Sequence, residues 1–151
     1  MRTLGSFLVV LLAPAFSAAC ASTSSCSDCK EAQTVVESVQ KQNPDCSRLT
    51  VHCADGGSAK VCASTDAARI GKPSDPEDLQ AMQTGKPVVL DEAGALDVTV
   101  PIRQKDGKFQ SACGVTLKSA GMTRDQLVAK ANTIAKAVED GLKSCCANCC
   151  K

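Results

Sequence analysis

Between Ala95 and Lys118 apolar and polar residues alternate on both sides of a turn signal, and no other stretch constrains the fold as tightly. Leu96, Val98, Val100 and Ile102 alternate with Asp97 and Thr99. Asp106-Gly107 then supplies turn chemistry, and Phe109, Cys113, Val115 and Leu117 resume the alternation. A period of two puts one apolar face and one small, polar face on each strand, so this hairpin needs a sheet to extend it and a helical layer to cover it.

The remaining segments supply both. A helix is expected from about Ser27 to Gln42, with Ala32, Val35, Val36 and Val39 at helical spacing and Asn43-Pro44 as its stop. Strands over 48–54 and 59–64 flank a three-residue turn, Asp55-Gly56-Gly57. The stretch from Thr65 to Lys86, rich in Pro, Asp and Gly, reads as a crossover holding a short helix over 76–83; Asp75, Glu77 and Asp78 form its solvated first turn. Strands over 87–91, 95–103 and 108–118 follow. Thr123-Arg124-Asp125-Gln126 has capping-box form and opens a helix with Leu127, Ala131, Ile134, Val138 and Leu142 on one face. This order predicts an α+β domain: a five-stranded antiparallel sheet with N-terminal and C-terminal helices and a helical crossover.

Alternation also assigns faces. Val51, Cys53, Val61, Ala63, Val98, Val100, Val115 and Leu117 are expected to meet the helices. His52, Cys62, Ser64, Asp97, Thr99, Gly114 and Thr116 are expected on the opposite face, lining whatever cavity lies beneath the crossover. The assignment of Cys62 depends on the three-residue turn, because a two-residue turn reverses it relative to Val51.

The amino terminus has the form of an export signal over residues 1–19. Arg2 precedes an apolar run from Leu4 to Leu12, and Ser17-Ala18-Ala19-Cys20 resembles a bacterial lipobox with Cys20 as the lipidated residue. The Ser/Thr-rich residues 20–26 suit a tether. Ordinary cleavage after Ala19 or Ala21 is the other reading, and it gives a secreted protein. No later segment approaches the roughly 20 apolar residues that a membrane-spanning helix needs, so a lipid would be the membrane attachment.

Composition excludes several partners. Arg2 is one of 17 basic residues and the acidic residues number 16, so loss of the leader leaves the side chains in balance and gives nothing to attract nucleic acid. There is no Trp or Tyr, and Phe7 and Phe16 lie in the leader, which leaves Phe109 as the aromatic residue of the mature chain. Stacking platforms for nucleic-acid bases and aromatic cages for quaternary ammonium groups are thereby absent.

A core of Val, Leu, Ile and Ala benefits from cross-links, and the chain holds 11 cysteines. With Cys20 lipidated, Cys26, Cys29, Cys46, Cys53, Cys62, Cys113, Cys145, Cys146, Cys149 and Cys150 form an even set that full disulfide pairing accommodates. Cys53 and Cys113 should point into the core and can meet if their strands are neighbours. Cys26-Ser27-Asp28-Cys29 and the terminal SCCANCCK cluster (residues 144–151) can staple the termini. Their C-x-x-C spacings equally permit Zn or Cu binding through thiolates, or thiol redox work.

The strings ASTDAARIGKPSDPED, GKPVVL and LDVTVPI resemble the extracytoplasmic Cache domains, PAS-like sensor modules of bacterial receptors, over roughly Ala32 to Leu142. The resemblance implies a single PAS-like Cache domain over 27–143, its first helix behind the sheet and the Thr65–Lys86 segment closing over the front. It also implies a small-molecule ligand, of the amino acid or carboxylate kind that such domains often bind. Arg69, Asp97, Thr99, Ser64, Thr116 and Gly114 are the candidate ligand-binding residues. Asp97 and Arg69 either take the charged ends of a zwitterion or acid, or pair with each other to fix the crossover.

Enzyme signatures are missing: there is no GxSxG, no phosphate-binding Gly-rich loop and no His pair, His52 being the only histidine. The sequence therefore predicts a stand-alone, non-enzymatic binding module without a cofactor. A membrane receptor or envelope protein is its expected partner, and the cell envelope or periplasm its expected place.

Overall fold

The structure, a computed structural model, describes residues 30–55, 58–103 and 109–146. Helix α1 (Lys30–Lys41) leads into strands β1 (Cys46–Asp55) and β2 (Ser58–Ser64), then a 3-10 turn at Ala67–Arg69 and helix α2 (Pro76–Thr84). Strands β3 (Val88–Glu92), β4 (Ala95–Arg103) and β5 (Phe109–Lys118) follow, and helix α3 (Arg124–Cys146) closes the described chain. The five strands form one antiparallel sheet in the order β2-β1-β5-β4-β3.

The apolar faces of the strands dictate where the helices go. Leu49, Val51, Val98, Val115 and Leu117 are buried against Ala32 and Val36 of α1 and Leu127, Ala131, Ile134 and Val138 of α3. Helix α2 takes the other face, where Met82 packs with Ala59 and Ala112. That second layer is thin. It covers one end of the sheet and leaves the polar row near β4 and β1 open to a cavity.

The crossover also protects a sheet edge. The N–H of Val61 donates to Lys72 O at 2.9 Å, Gly71 N–H donates to Val61 O at 2.9 Å, and Ser74 N–H donates to Ala59 O at 2.9 Å. Residues 71–74 thus run beside β2 and occupy backbone groups that would otherwise be open to edge pairing. At the far end of β2, the Gln33 side chain of α1 accepts from Ser64 N–H at 3.0 Å and donates to Ser64 O at 2.9 Å, fixing helix to strand.

The first hairpin corrects the expected register. Asp55 pairs with Ser58, so two residues rather than three separate the strands, and His52 consequently pairs with Val61. A bulge then restores the pairing of Val51 with Ala63. Its effect is local: Val61 moves to the His52 face, while Cys62 turns to the helix side and packs on the main core. Cys62 does not line the cavity. It is bonded to Cys53, with Cα atoms 6.1 Å apart.

That bond also corrects the pairing expected of Cys53 with Cys113. Strands β1 and β5 are neighbours, but Cys113 lies opposite Val51 and remains a free, buried thiol, as does Cys46. Full pairing of the cysteines therefore does not hold. The calls on Cys20, Cys26, Cys29, Cys149 and Cys150 lie outside the described residues, as do the side chains of Cys145 and Cys146.

Helices α1 and α3 cross closely at Gly141, where an added Cβ would stand 2.6 Å from Val35 Cγ1. Gly→Ala in a helix interior ordinarily gains up to ~1 kcal/mol, whereas overpacking a fitted contact costs about 1–3 kcal/mol. Val35 is β-branched and cannot swing aside cheaply. Gly141→Ala is therefore expected to lower stability by about 1 kcal/mol, and adding Val35→Ala should turn the effect of the alanine to a gain in chemical denaturation.

Candidate functional site

On the α2 side, three rows of side chains cross the middle of the sheet. Arg48, Thr116 and Asp97 are register partners, as are Thr50, Gly114 and Thr99, then His52, Ala112 and Pro101. Gly114 sits in the middle row of the central strand. Its missing side chain leaves a hollow, since an added Cβ would meet only His52 Nε2 at 3.4 Å and Thr50 Cβ at 3.8 Å. A glycine inside a strand otherwise weakens it, and here it makes the floor of a cavity.

That cavity has a volume of about 70 Å³ and is lined by Arg48, Thr50, His52, Arg69, Asp75, Glu77, Asp78, Glu92, Asp97 and Gly114. At roughly 10–15 Å³ per water position, it has room for roughly five. The lining carries five carboxylates and two guanidiniums.

His52 and Asp78 form its deepest part, with side chains 3% and 5% exposed. His52 Nδ1 lies 2.9 Å from Ser74 Oγ and 3.1 Å from Asp78 Oδ2. Asp78 is held from three directions: Thr99 Oγ1 donates to Oδ1 at 3.0 Å, and Asp75 N–H donates to Oδ2 at 2.9 Å beside the imidazole contact. Burial drives the imidazole down to about 4, and the positive charge of Arg69 adds to the effect. Burial likewise pushes the Asp78 carboxyl above its ordinary range. The geometry alone resembles an ion pair, but the cost of burying charge and the guanidinium nearby keep the ring neutral. A neutral ring whose Nδ1–H faces Ser74 and Asp78 carries its lone pair on Nε2. No buried side-chain nitrogen or oxygen among the described residues lacks a partner, so Nε2, which hydrogen-bonds to no described group, is left to the cavity.

The opposite wall is Asp97. Thr116 Oγ1 donates to its Oδ1 at 2.6 Å, and Arg48 Nη2 stands 3.8 Å from the same oxygen. Arg48 is more closely paired with Glu92, at 3.1 Å. Arg69 pairs with Asp75, at 3.0 Å. The internal Asp97–Arg69 pair considered from the sequence is therefore not formed, although both residues line the cavity.

The structure thus brings Arg69, Asp97 and Gly114 together at the cavity, and places Thr99 and Thr116 just behind it as partners of Asp78 and Asp97. Ser64 lies further back, its hydroxyl 3.2 Å from that of Thr50. Sequence reasoning missed Arg48, Glu92 and above all Asp78, which is buried rather than solvated. Arg48 shares its strand parity with His52, and Asp75-x-x-Asp78 has the spacing of a capping box; both signals were available.

The remaining described thiols are poor nucleophiles. Burial pushes the Cys46 thiol up to about 11 and raises that of Cys113 further, so neither presents a thiolate at neutral pH. No group of three or more His, Cys, Asp or Glu among the described residues has the arrangement of a metal site. No described helix is long and apolar enough to cross a membrane.

No family model matches the chain, and no curated protein matches it significantly. Solved structures do match. The GAF domain/HD domain protein from Geobacter sulfurreducens aligns with a TM-score of 0.56 at 11% identity, covering 77% of this chain and 90% of that one. The GAF domain of an Acinetobacter phosphoenolpyruvate-protein phosphotransferase aligns with a TM-score of 0.54 at 15% identity, over 84% of this chain and 87% of that one. A type II free methionine-R-sulfoxide reductase from Thermoplasma acidophilum aligns with a TM-score of 0.50 at 16% identity, over 72% and 89% respectively. At such identities the likeness carries the fold alone: this is an α+β domain of the broad GAF and PAS-like class.

Proposed function

We propose that this chain is a non-enzymatic, sensor-type small-molecule-binding module that works outside the cytoplasm, anchored by lipid at Cys20. The observation that carries the reading is the polar hollow over Gly114, where charged side chains converge beneath a crossover on an otherwise apolar scaffold. The Cache resemblance supports it with the same PAS-like arrangement. The Cys53–Cys62 bond suits the oxidising compartment that the leader implies. A receptor or envelope protein is the proposed reader of the bound state. Of the four cysteines whose side chains are described, two are bonded to each other and two are buried thiols, and the clusters that a metal or redox reading would use lie outside them.

The test is thermal unfolding of the disulfide-intact protein across a panel of amino acids, small carboxylates and small amines. A true ligand at a hundredfold excess over its dissociation constant should add about 2.7 kcal/mol of stability. Asp97→Ala should remove that gain while leaving the unliganded protein folded. If no compound in the panel stabilises the wild type, the binding-module reading fails.

A further inference from the structure

The charges around the hollow choose between ligand classes. Arg48 and Arg69, its two guanidiniums, are already engaged with Glu92 and Asp75. Asp97 has only the distant 3.8 Å approach of Arg48, and Glu77 makes no ion pair among the described residues. Even with Asp78 protonated, four carboxylates face two guanidiniums. A ligand anion would enter an acidic hollow and have to break one of the close pairs, whereas a cation would meet Glu77 and the loosely held Asp97.

A second and independent feature is the ring of His52. Its side chain is 3% exposed, its Nδ1 is committed to Ser74 and Asp78, and its Nε2 is aimed over Gly114 with no donor among the described residues. That nitrogen asks for a donor from the ligand. A primary ammonium has three, enough for Asp97 on one wall and His52 on the other, with Gly114 between their rows. A quaternary ammonium has none, and the lining holds no Trp, Tyr or Phe to receive one.

From this juxtaposition we infer that the ligand is a small primary amine, whose ammonium group lies over Gly114 and donates to the Asp97 carboxylate and to His52 Nε2. The inference rests on the binding-module reading and names the ligand class of that same site. The size of the hollow limits the amine to roughly five heavy atoms unless it extends past the open side.

Isothermal titration of the full, disulfide-intact chain with ethanolamine, glycine and sodium acetate separates the possibilities. Ethanolamine should bind saturably and acetate should not. Asp97→Asn should weaken ethanolamine by about tenfold or more, because it removes a charge-assisted hydrogen bond. Gly114→Ala should abolish binding by placing a methyl group against Nε2, with the thermal midpoint of the free protein kept, since alanine suits a strand at least as well as glycine. Saturable binding of acetate, or of glycine with ethanolamine inert, would overturn the amine class while leaving a binding module in place. Ethanolamine binding that is unchanged in both variants would move the site elsewhere and overturn the assignment. Inertness to all three probes overturns the amine inference, and the binding-module reading then stands or falls by the wider thermal panel.

Discussion

Asp78→Ala is expected to cost about 3 kcal/mol of folding stability, more than any other single change at the cavity. The carboxylate is buried, and its loss leaves the Thr99 hydroxyl and the Asp75 N–H without this acceptor and the His52 Nδ1–H with Ser74 Oγ alone. Thr99 and His52 are buried and the Asp75 N–H is partly so, and a buried donor left unpaired costs more than the hydrogen bond contributed. Burial of the carboxyl is itself unfavourable, which trims the total. Asp78→Asn should therefore cost only about 1 kcal/mol, because an amide oxygen in the Oδ2 position still accepts from the Asp75 N–H and the His52 Nδ1–H, and the amide nitrogen donates to the Thr99 hydroxyl, which can accept. The ring tautomer is then kept. Urea unfolding of the two variants at neutral pH checks the ranking, and equal losses would mean that the three hydrogen bonds are not what Asp78 supplies.

Acid should destabilise the protein over a definite window. His52 is held down to about 4 in the folded protein, against 6.5 when unfolded. The unfolded chain therefore binds the proton first as pH falls. Stability from the neutral ring is complete above 6.5 and is lost progressively towards 4, by about 3 kcal/mol in all. Asp78 works in the opposite direction: its raised folded value means that the native state takes up a proton earlier than the unfolded one, which offsets part of the loss. His52→Gln should flatten the profile between those limits. Because the chain has one histidine, its ring resonance reports the titration directly. A ring that titrates at or above 6.5 would mean that His52 is charged and paired with Asp78, and that Nε2 is a donor.

Much of this fold was legible because period and punctuation agree along the chain. Strand β4 runs over the expected residues 95–103, and α2 begins at Pro76 as a proline at a helix start should. What the sequence did not show is the bulge between Val51 and His52. It depends on a two-residue turn, and one residue of slip exchanges Val61 with Cys62 between faces. The disulfide partner of Cys53 went unread for the same reason. At the site, Asp97, Arg69 and Gly114 were recognisable from strand parity and crossover position. Asp78 was not, because an acidic residue in a first helical turn is ordinarily solvated, and only the docking of α2 onto β4 and β5 buries it over Thr99. The partners of Arg48 and Arg69 are long-range or loop contacts that no local pattern encodes.

The central claim is that the hollow over Gly114 is a ligand site, and the nitrogen resonances of the His52 ring test it most directly. The protein, labelled at its one histidine, is titrated with whichever panel compound stabilises it most. A saturable shift of Nε2 that exceeds that of Nδ1, and is absent in Gly114→Ala, is the predicted result. An Nε2 resonance that no stabilising compound moves would contradict the claim and reduce the polar cluster to a structural one.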